Sequence, residues 1–285
     1  MQTNQQQPYR PTGLTLVLGG TGKTGQRVVR RLRDKNLPVR IGSRSASPSF
    51  DWNDATGWDA CLRGVGSVYI SYSPDLAIPG ATDTIRAFTD LAVRRGVGRL
   101  VLLSGRGEPE ARACERIVRE SGADWTIVRA SWFNQNFSEG EFAGMVVDGS
   151  ITLPAGDIPE PFVDIDDIAD VVVAALTEPG HGGETYELTG PRLMTFTDIA
   201  DELSRATGRD IAYIELPHRD FMAGIAQAGI PEEIAWLLDY LFSTVLDGRN
   251  AYLADGVQRA LGRAPRDFSE FARQVARSGQ WDAAA

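Results

Sequence analysis

A doubly wound α/β fold, with a parallel sheet covered by helices on both faces, is what this chain predicts, on three observations. Leu14-Thr-Leu-Val-Leu18 is the short apolar run of a strand buried on both faces, and from Gln26 the pattern turns helical, with Val28, Val29 and Leu32 on one side. Between them Gly19, Gly22 and Gly25 are spaced so that the backbone can turn tightly, approach an anion and pack the helix onto the strand. Downstream, apolar runs alternate with amphipathic helical segments, as right-handed βαβ units do. The sum is a Rossmann-type arrangement in which a diphosphate rests on the N-terminus of the first helix. Gly22-Lys23-Thr24 follows Gly19 and Gly20 too closely for a P-loop, so a dinucleotide is the better ligand.

The elements follow in order. Leu37 to Ser45 is a second strand, Ser49 to Trp52 a short third, and Asp54 caps a helix running to about Arg63. Val65 to Ser71 is the fourth strand, Gly98 to Ser104 the fifth and Asp124 to Arg129 the sixth, with helices over Pro79 to Arg95 and Pro109 to Ser121 between them. Beyond Gly149 the repeat is less regular. Pro161 to Asp170 opens a helix, with Asp166 as its N-cap, and Thr185 to Thr189 is a further strand expected to rejoin the sheet. Helical spacing then dominates over Thr197 to Thr207, Arg219 to Ala228, Glu232 to Leu246 and Phe268 to Ala276. The expected organisation is a flexible tail over 1–12, a dinucleotide-binding domain over 13–155 and a smaller, mainly helical substrate lobe over 156–285.

Composition narrows the function. With 285 residues, 42% of them apolar, the chain buries a sizeable core, and a net charge of −9 argues against nucleic acid or an anionic membrane as partner. No apolar run approaches the roughly 20 residues of a membrane span. Two cysteines, Cys61 and Cys114, make no disulfide framework and suit a reducing cytoplasm. A small molecule is the expected partner, bound by a monomer or homodimer.

The cofactor is decided at the end of the second strand. An NAD site places Asp or Glu about 20 residues past the glycines, on the ribose 2′-OH. Here Gly42, Ser43, Arg44 and Ser45 offer small residues, hydroxyls and a guanidinium instead, which suit the 2′-phosphate of NADP(H), with Lys23 as a second cation. The loop around Asp51 is expected beside the adenine. The predicted cofactor contacts are Gly19, Gly20, Thr21, Gly22, Lys23, Thr24 and Gly25 in the turn, then Ser43, Arg44, Ser45, Asp51, Ser71, Tyr72, Ser73, Ser104 and Ser131.

Ligands bind at the carboxyl ends of such strands, so Ser71 to Pro74, Ser104 to Arg106 and Ser131 to Asn136 are expected to converge on the reacting end. Tyr72 and Ser104 are the catalytic candidates, and Trp132, Phe133 and Asn136 the substrate candidates; Phe133 and Phe137, four apart, also read as core. The Tyr-x-x-x-Lys pair of most short-chain dehydrogenases is missing: the helix after Ser104 has Glu110-Ala-Arg-Ala-Cys-Glu115, and Lys23 and Lys35 are the only lysines. No metal site is expected, Asp164, Asp166 and Asp167 reading as a helix start rather than ligands. His181, between glycines, reads as solvated, and His218 as a loop or cap residue. No proton donor with a pKa near neutrality is evident in the three loops, so the acceptor is expected to need little help from a protein acid.

The glycine turn, the Ile41-Gly-Ser-Arg-Ser45 strand end, Val101-Leu-Leu-Ser104, Trp125 to Arg129 and Trp132-Phe-Asn-Gln-Asn-Phe-Ser138 together resemble the NmrA-like atypical short-chain dehydrogenases, from about Gly13 onward. Within that group, Gly42 to Ser45 with Phe50-Asp-Trp52, and Thr189 to Thr195, are most similar to the ergot-alkaloid festuclavine and agroclavine dehydrogenases. The resemblance implies an NADPH-dependent oxidoreductase acting on an activated acceptor (iminium or imine, quinone or enone), in secondary metabolism. Its alternative is a catalytically inactive redox sensor that binds NADP(H) and acts through a protein partner. Members that reduce benzylic ethers use a lysine near the place of Ala111 to Glu115, where this chain has Arg112, which argues against that chemistry.

Overall fold

Residues 13–140 and 142–282 are described by the structure, a computed structural model, so the expected tail over 1–12 lies outside the described residues. The chain runs β1 (Leu14–Leu18), α1 (Lys23–Asp34), β2 (Val39–Gly42), α2 (Trp58–Leu62), β3 (Val65–Ile70), α3 (Ala81–Arg94), β4 (Arg99–Gly105), α4 (Pro109–Arg119) and β5 (Asp124–Ala130). It continues through α5 (Ala143–Asp148), β6 (Ser150–Leu153), α6 (Ile165–Thr177), β7 (Glu184–Leu188), α7 (Phe196–Thr207) and β8 (Ala212–Glu215). Helices α8 (His218–Gln227), α9 (Glu232–Tyr240), α10 (Gly256–Leu261) and α11 (Phe268–Arg277) complete it.

The main sheet has six strands, all parallel, in the order β2-β1-β3-β4-β5-β7. Its strands alternate between two cores. Leu16, Leu18, Val68, Ile70, Leu100, Leu102 and Ile127 face Ile85, Phe88 and Ile117, while Val17, Tyr69, Val101 and Val128 face Val28, Leu32, Ile168 and Val172. Both faces are apolar because both are covered, which is why these strands read as continuous apolar runs. Because β2 and β3 flank β1, the connections diverge at the end of β1, where a doubly wound sheet opens its ligand crevice.

The expected third strand at Ser49–Trp52 is absent. Only an isolated Asp51–Asp54 bridge occurs there, because Phe50 and Trp52 pack with Trp58 and Phe88 instead of pairing with a sheet edge. The sixth strand is β7, which pairs with β5. The later half also contains a second parallel pair, β6 with β8, four residues each, which the sequence reading did not foresee. The segment predicted as one helix over Glu232–Leu246 is α9 followed by a π-helical turn, Leu241–Val245.

The aspartates at the start of α6 are structural. Asp164, not Asp166, is the N-cap: its Oδ1 accepts the Asp166 amide at 2.8 Å and the Gln135 amide at 3.1 Å. Asp166 and Asp170 clamp Arg31 of α1 at 2.6 and 2.7 Å, and the buried Asp167 pairs with Arg263 and Arg266. His181 is buried rather than solvated: its Nδ1 lies 2.9 Å from the Tyr186 hydroxyl, and burial holds the imidazole below its usual pKa. The flanking glycines suggested an open loop, but this one folds onto β5, where the Thr126 hydroxyl donates to the His181 carbonyl at 2.6 Å. His218 opens α8 and pairs with Asp239 of α9 at 2.7 Å, away from the cleft wall.

Candidate active site

A continuous cleft of about 830 Å3 runs over the carboxyl ends of the strands, from the glycine turn to the helices after Pro231. At one end Gly19 holds φ +61°, the Gly22 amide donates to its carbonyl at 2.8 Å, and the Gly20 amide donates to Gly42 at 3.3 Å. Thr21, Gly22, Lys23 and Thr24 line the cleft, at the N-terminus of a twelve-residue helix with no acid in its first turn and no side-chain cap. The N-terminus of this helix and its dipole therefore face a space fitted to a diphosphate. Gly20 and Gly25 lie behind this surface. A Cβ on Gly25 would fall on the Gly19 carbonyl, so its contribution is to the shape of the turn. The Tyr69 hydroxyl fixes the turn from below, donating to Thr24 Oγ1 at 3.0 Å. Lys23 Nζ reaches across to donate to Asn136 Oδ1 at 3.3 Å.

Past β2, Ser43 and the exposed Arg44 form one rim of the cleft. Ser45 sits just outside the wall, its hydroxyl 3.3 Å from that of Ser43. Asp51 lines the cleft, but its Oδ1 already accepts the Asn53 amide at 3.0 Å, in a local turn. Trp52 closes this end, its indole N–H donating to the Ser71 carbonyl at 3.2 Å and its ring 5.0 Å from Tyr72.

In the middle the three expected loops converge: Ser71, Tyr72 and Ser73 after β3, Ser104 at the end of β4, and Ser131, Trp132, Phe133 and Asn136 after β5. Tyr72 is half-buried, and burial raises its hydroxyl above the usual tyrosine pKa. Ser104 donates at 2.8 Å to Glu115, a buried carboxylate that also binds Arg129 at 2.8 and 2.6 Å. The serine thus ends a buried ionic network extending through Arg129 to Glu187 at 3.1 Å. Arg112 is exposed and off the cleft wall. Trp132 stacks on Phe142 at 6.3 Å and leans on Phe242 at 5.4 Å, so the aromatic wall joins the segment after β5 to the later helices. Phe133 serves both expectations, lining the cleft while packing on the sheet core, and Phe137 is core.

Three carboxyls escaped the sequence reading. Asp75 and Glu108 line the cleft beside Tyr72 and Ser104 and lie within hydrogen-bond reach of each other. Burial raises both, and the proximity of Asp75 drives Glu108 well above the usual carboxylate range. Glu160, wholly buried, receives a 3.4 Å hydrogen bond from the Ser131 hydroxyl and is pushed up to about 7 by burial, against the pull of Arg106. Asp75 and Glu108 lie one to two residues beyond the loops singled out by sequence, and their only signal was that nearness. Ile234, Leu237, Leu238 and Leu241, from the helical segment expected in the substrate lobe, complete the cleft wall.

The sequence model of the NmrA-like family matches residues 112–272, and that of an NAD(P)H-binding family residues 19–179. The chain is 32% identical to agroclavine dehydrogenase of Claviceps fusiformis over 279 residues, 90% of this chain and 95% of that protein. It is 30% identical to the NAD(P)H azoreductase of Xenophilus azovorans over 282 residues, 91% of this chain and 97% of that one. Among solved structures it is similar to an NADPH-dependent quinone oxidoreductase of Escherichia coli complexed with NADPH, with a TM-score of 0.76 at 21% identity, covering 92% of this chain and 99% of the other.

Proposed function

The chain belongs to the NmrA-like family, and from that membership and the form of its cleft we propose that it is an NADPH-dependent reductase of an electron-poor small molecule, an iminium, quinone or enone. One observation carries this reading. The cleft, about 830 Å3, is continuous from the glycine turn to the aromatic wall of Trp132 and Phe142, so it extends beyond the turn that would hold a dinucleotide. A redox sensor needs only the first half and gains nothing from an open second half. The curated relatives named dehydrogenase and azoreductase support the enzyme as well.

The roles follow from position. The amides of Thr21 to Thr24 hold the diphosphate, Ser43 and Arg44 the 2′-phosphate, and Ser71, Tyr72, Ser73, Ser104 and Ser131 the span to the nicotinamide. When bound, NADPH supplies the hydride. Trp132, Phe133 and Asn136 hold the acceptor flat, and Leu237 and Leu241 exclude water above it, so that orientation in a dry site supplies much of the rate.

Arg44→Ala is expected to weaken NADPH binding about 10–100-fold, the loss of one charge-assisted contact of ~1.5–3 kcal/mol, with NADH binding unchanged. Fluorescence titration with both cofactors decides it, and equal losses for the two would remove the 2′-phosphate assignment. Tyr72→Phe is expected to lower turnover less than about tenfold, because a hydroxyl raised above its usual pKa is a poor donor near neutrality. Trp132→Ala is expected to raise the acceptor KM about tenfold, or ~1.4 kcal/mol, with kcat less affected. Steady-state kinetics with a quinone separate the two; a collapse of kcat in Tyr72→Phe would make that hydroxyl the acid.

A further inference from the structure

Two carboxyls meet in the cleft where no cation among the described residues pairs with them. Asp75, from the loop after β3, fixes its Oδ1 on the Ala77 amide at 2.8 Å. Glu108, the residue before α4, is 6% exposed, and its Oε2 finds no donor among the described residues. Its carboxyl lies directly over Gly105, where a Cβ would collide with it, so the close approach depends on that glycine. Both acids are on the cleft wall, on neighbouring strand ends, next to Tyr72 and Ser104.

The groups around the pair leave it short of positive charge. Glu110, in the first turn of α4, adds a third carboxyl, tied by the Tyr240 hydroxyl of α9 at 2.8 Å. The thiol of Cys114 on α4 is pushed up to about 11, chiefly by burial. Glu233 of α9 lies on the same stretch of wall. The nearby guanidinium of Arg249 donates to the Gly107 carbonyl at 3.1 Å and is already held by Asp247 at 2.9 and 2.7 Å. Arg106 is turned to Glu187 at 2.8 Å and to the Asn250 carbonyl at 3.3 Å. Two neighbouring carboxylates, one buried and one half-buried, with no paired cation among the described residues repel strongly, and the cheapest relief is one proton held between them.

We propose that Asp75 and Glu108 share one proton in the resting cleft and deliver it to the acceptor's heteroatom during reduction, which makes acceptors that must gain a proton, quinones and enones, substrates of this site. The inference rests on the reductase reading and extends it. The atoms balance simply: the acceptor gains a hydride from the dihydronicotinamide and a proton from the pair, forming one new bond to each hydrogen. A quinone leaves as hydroquinone, NADPH becomes NADP+, and the doubly ionised pair regains its proton from water. An iminium or a carbocationic dye gains the hydride alone and needs nothing from the pair.

That difference is the test. With menadione as quinone and crystal violet as a cation that needs no proton, Glu108→Gln and Asp75→Asn should each lower kcat/KM for the quinone by about 10²–10⁴-fold. Dye reduction should fall by at least about tenfold less than quinone reduction in the same variant, a split that a purely structural role does not produce. The wild-type-minus-variant infrared difference spectrum of the cofactor-free protein at pH 7 should show one protonated-carboxyl carbonyl stretch lost in both variants, any Glu160 band being common to all three and cancelling. Should the variants fold poorly, the wild type alone still decides: the ratio of quinone to dye rates should fall as pH rises above neutrality. Equal losses on both acceptors, a ratio flat with pH, or no carboxyl band that the variants remove would overturn the proposal. A wild type that shows the band and binds NADPH yet reduces neither acceptor would overturn the reductase reading and leave the shared proton standing.

Discussion

Replacing Gly25 with alanine is expected to weaken NADPH binding by at least about 100-fold, or ~2.7 kcal/mol. A Cβ there would lie on the Gly19 carbonyl oxygen, 2.7 Å from the Gly19 carbonyl carbon and 2.8 Å from the Gly20 Cα. All three are backbone atoms of the turn itself, so no rotamer relieves the clash and the turn must move away from α1. That movement displaces the Thr21 to Thr24 amides that face the cleft, and overpacking of this kind costs about 1–3 kcal/mol of stability besides. Gly224→Ala is the matched control, since a Cβ at that position in α8 meets nothing within 4 Å. Its cofactor affinity should be unchanged and its stability equal or slightly raised. Titration of NADPH fluorescence and thermal unfolding of both variants check the pair of outcomes, and wild-type affinity in Gly25→Ala would separate the turn from the cofactor.

What the sequence disclosed, and what it withheld, follows from how far each signal reaches along the chain. The turn at Gly19 to Gly25 was legible because strand, turn and helix are contiguous and each imposes its own pattern within a few residues. The convergence of Ser71, Ser104 and Ser131 was legible by a general rule, that parallel strands present their carboxyl ends to one crevice. The mistaken strand at Ser49–Trp52 came from reading Phe50 and Trp52 by β-propensity, when an aromatic cluster with Trp58 and Phe88 is an equally good home for them. The short pair β6 and β8 joins Ser150 to Ala212, a contact that no local window contains. Asp75 and Glu108 were passed over for the same reason. Each alone is an ordinary loop carboxylate, and only the adjacency of β3 and β4 makes them a pair with unusual chemistry.

Glu160 leads to the second large effect, a fall in stability with rising pH that its amide variant should lack. Its carboxyl is pushed up to about 7 in the folded chain, by burial first, with Asp247 adding to the rise and Arg106 and the Ser131 hydroxyl opposing it. Unfolded, it returns to the usual value of about 4.3. Between those values the folded state binds more protons than the unfolded one, so this group's contribution is fully present below about 4.3 and is lost as pH rises through about 7. The whole difference is worth about 3.7 kcal/mol, of which about 3 falls between pH 4.5 and pH 8. The expected result is therefore that Glu160→Gln gains about 3 kcal/mol relative to wild type between pH 4.5 and pH 8. Urea unfolding of both proteins at the two pH values measures it, and subtraction cancels Asp75, Glu108 and every other group common to the pair. A difference independent of pH would mean that Glu160 is ionised throughout, held by Arg106 despite that guanidinium's 2.8 Å bond to Glu187. Because the Ser131 hydroxyl that donates to Glu160 also lines the cleft, the same titration should weaken NADPH binding only slightly: a serine donor serves a neutral or an ionised carboxyl alike, and its backbone does not move.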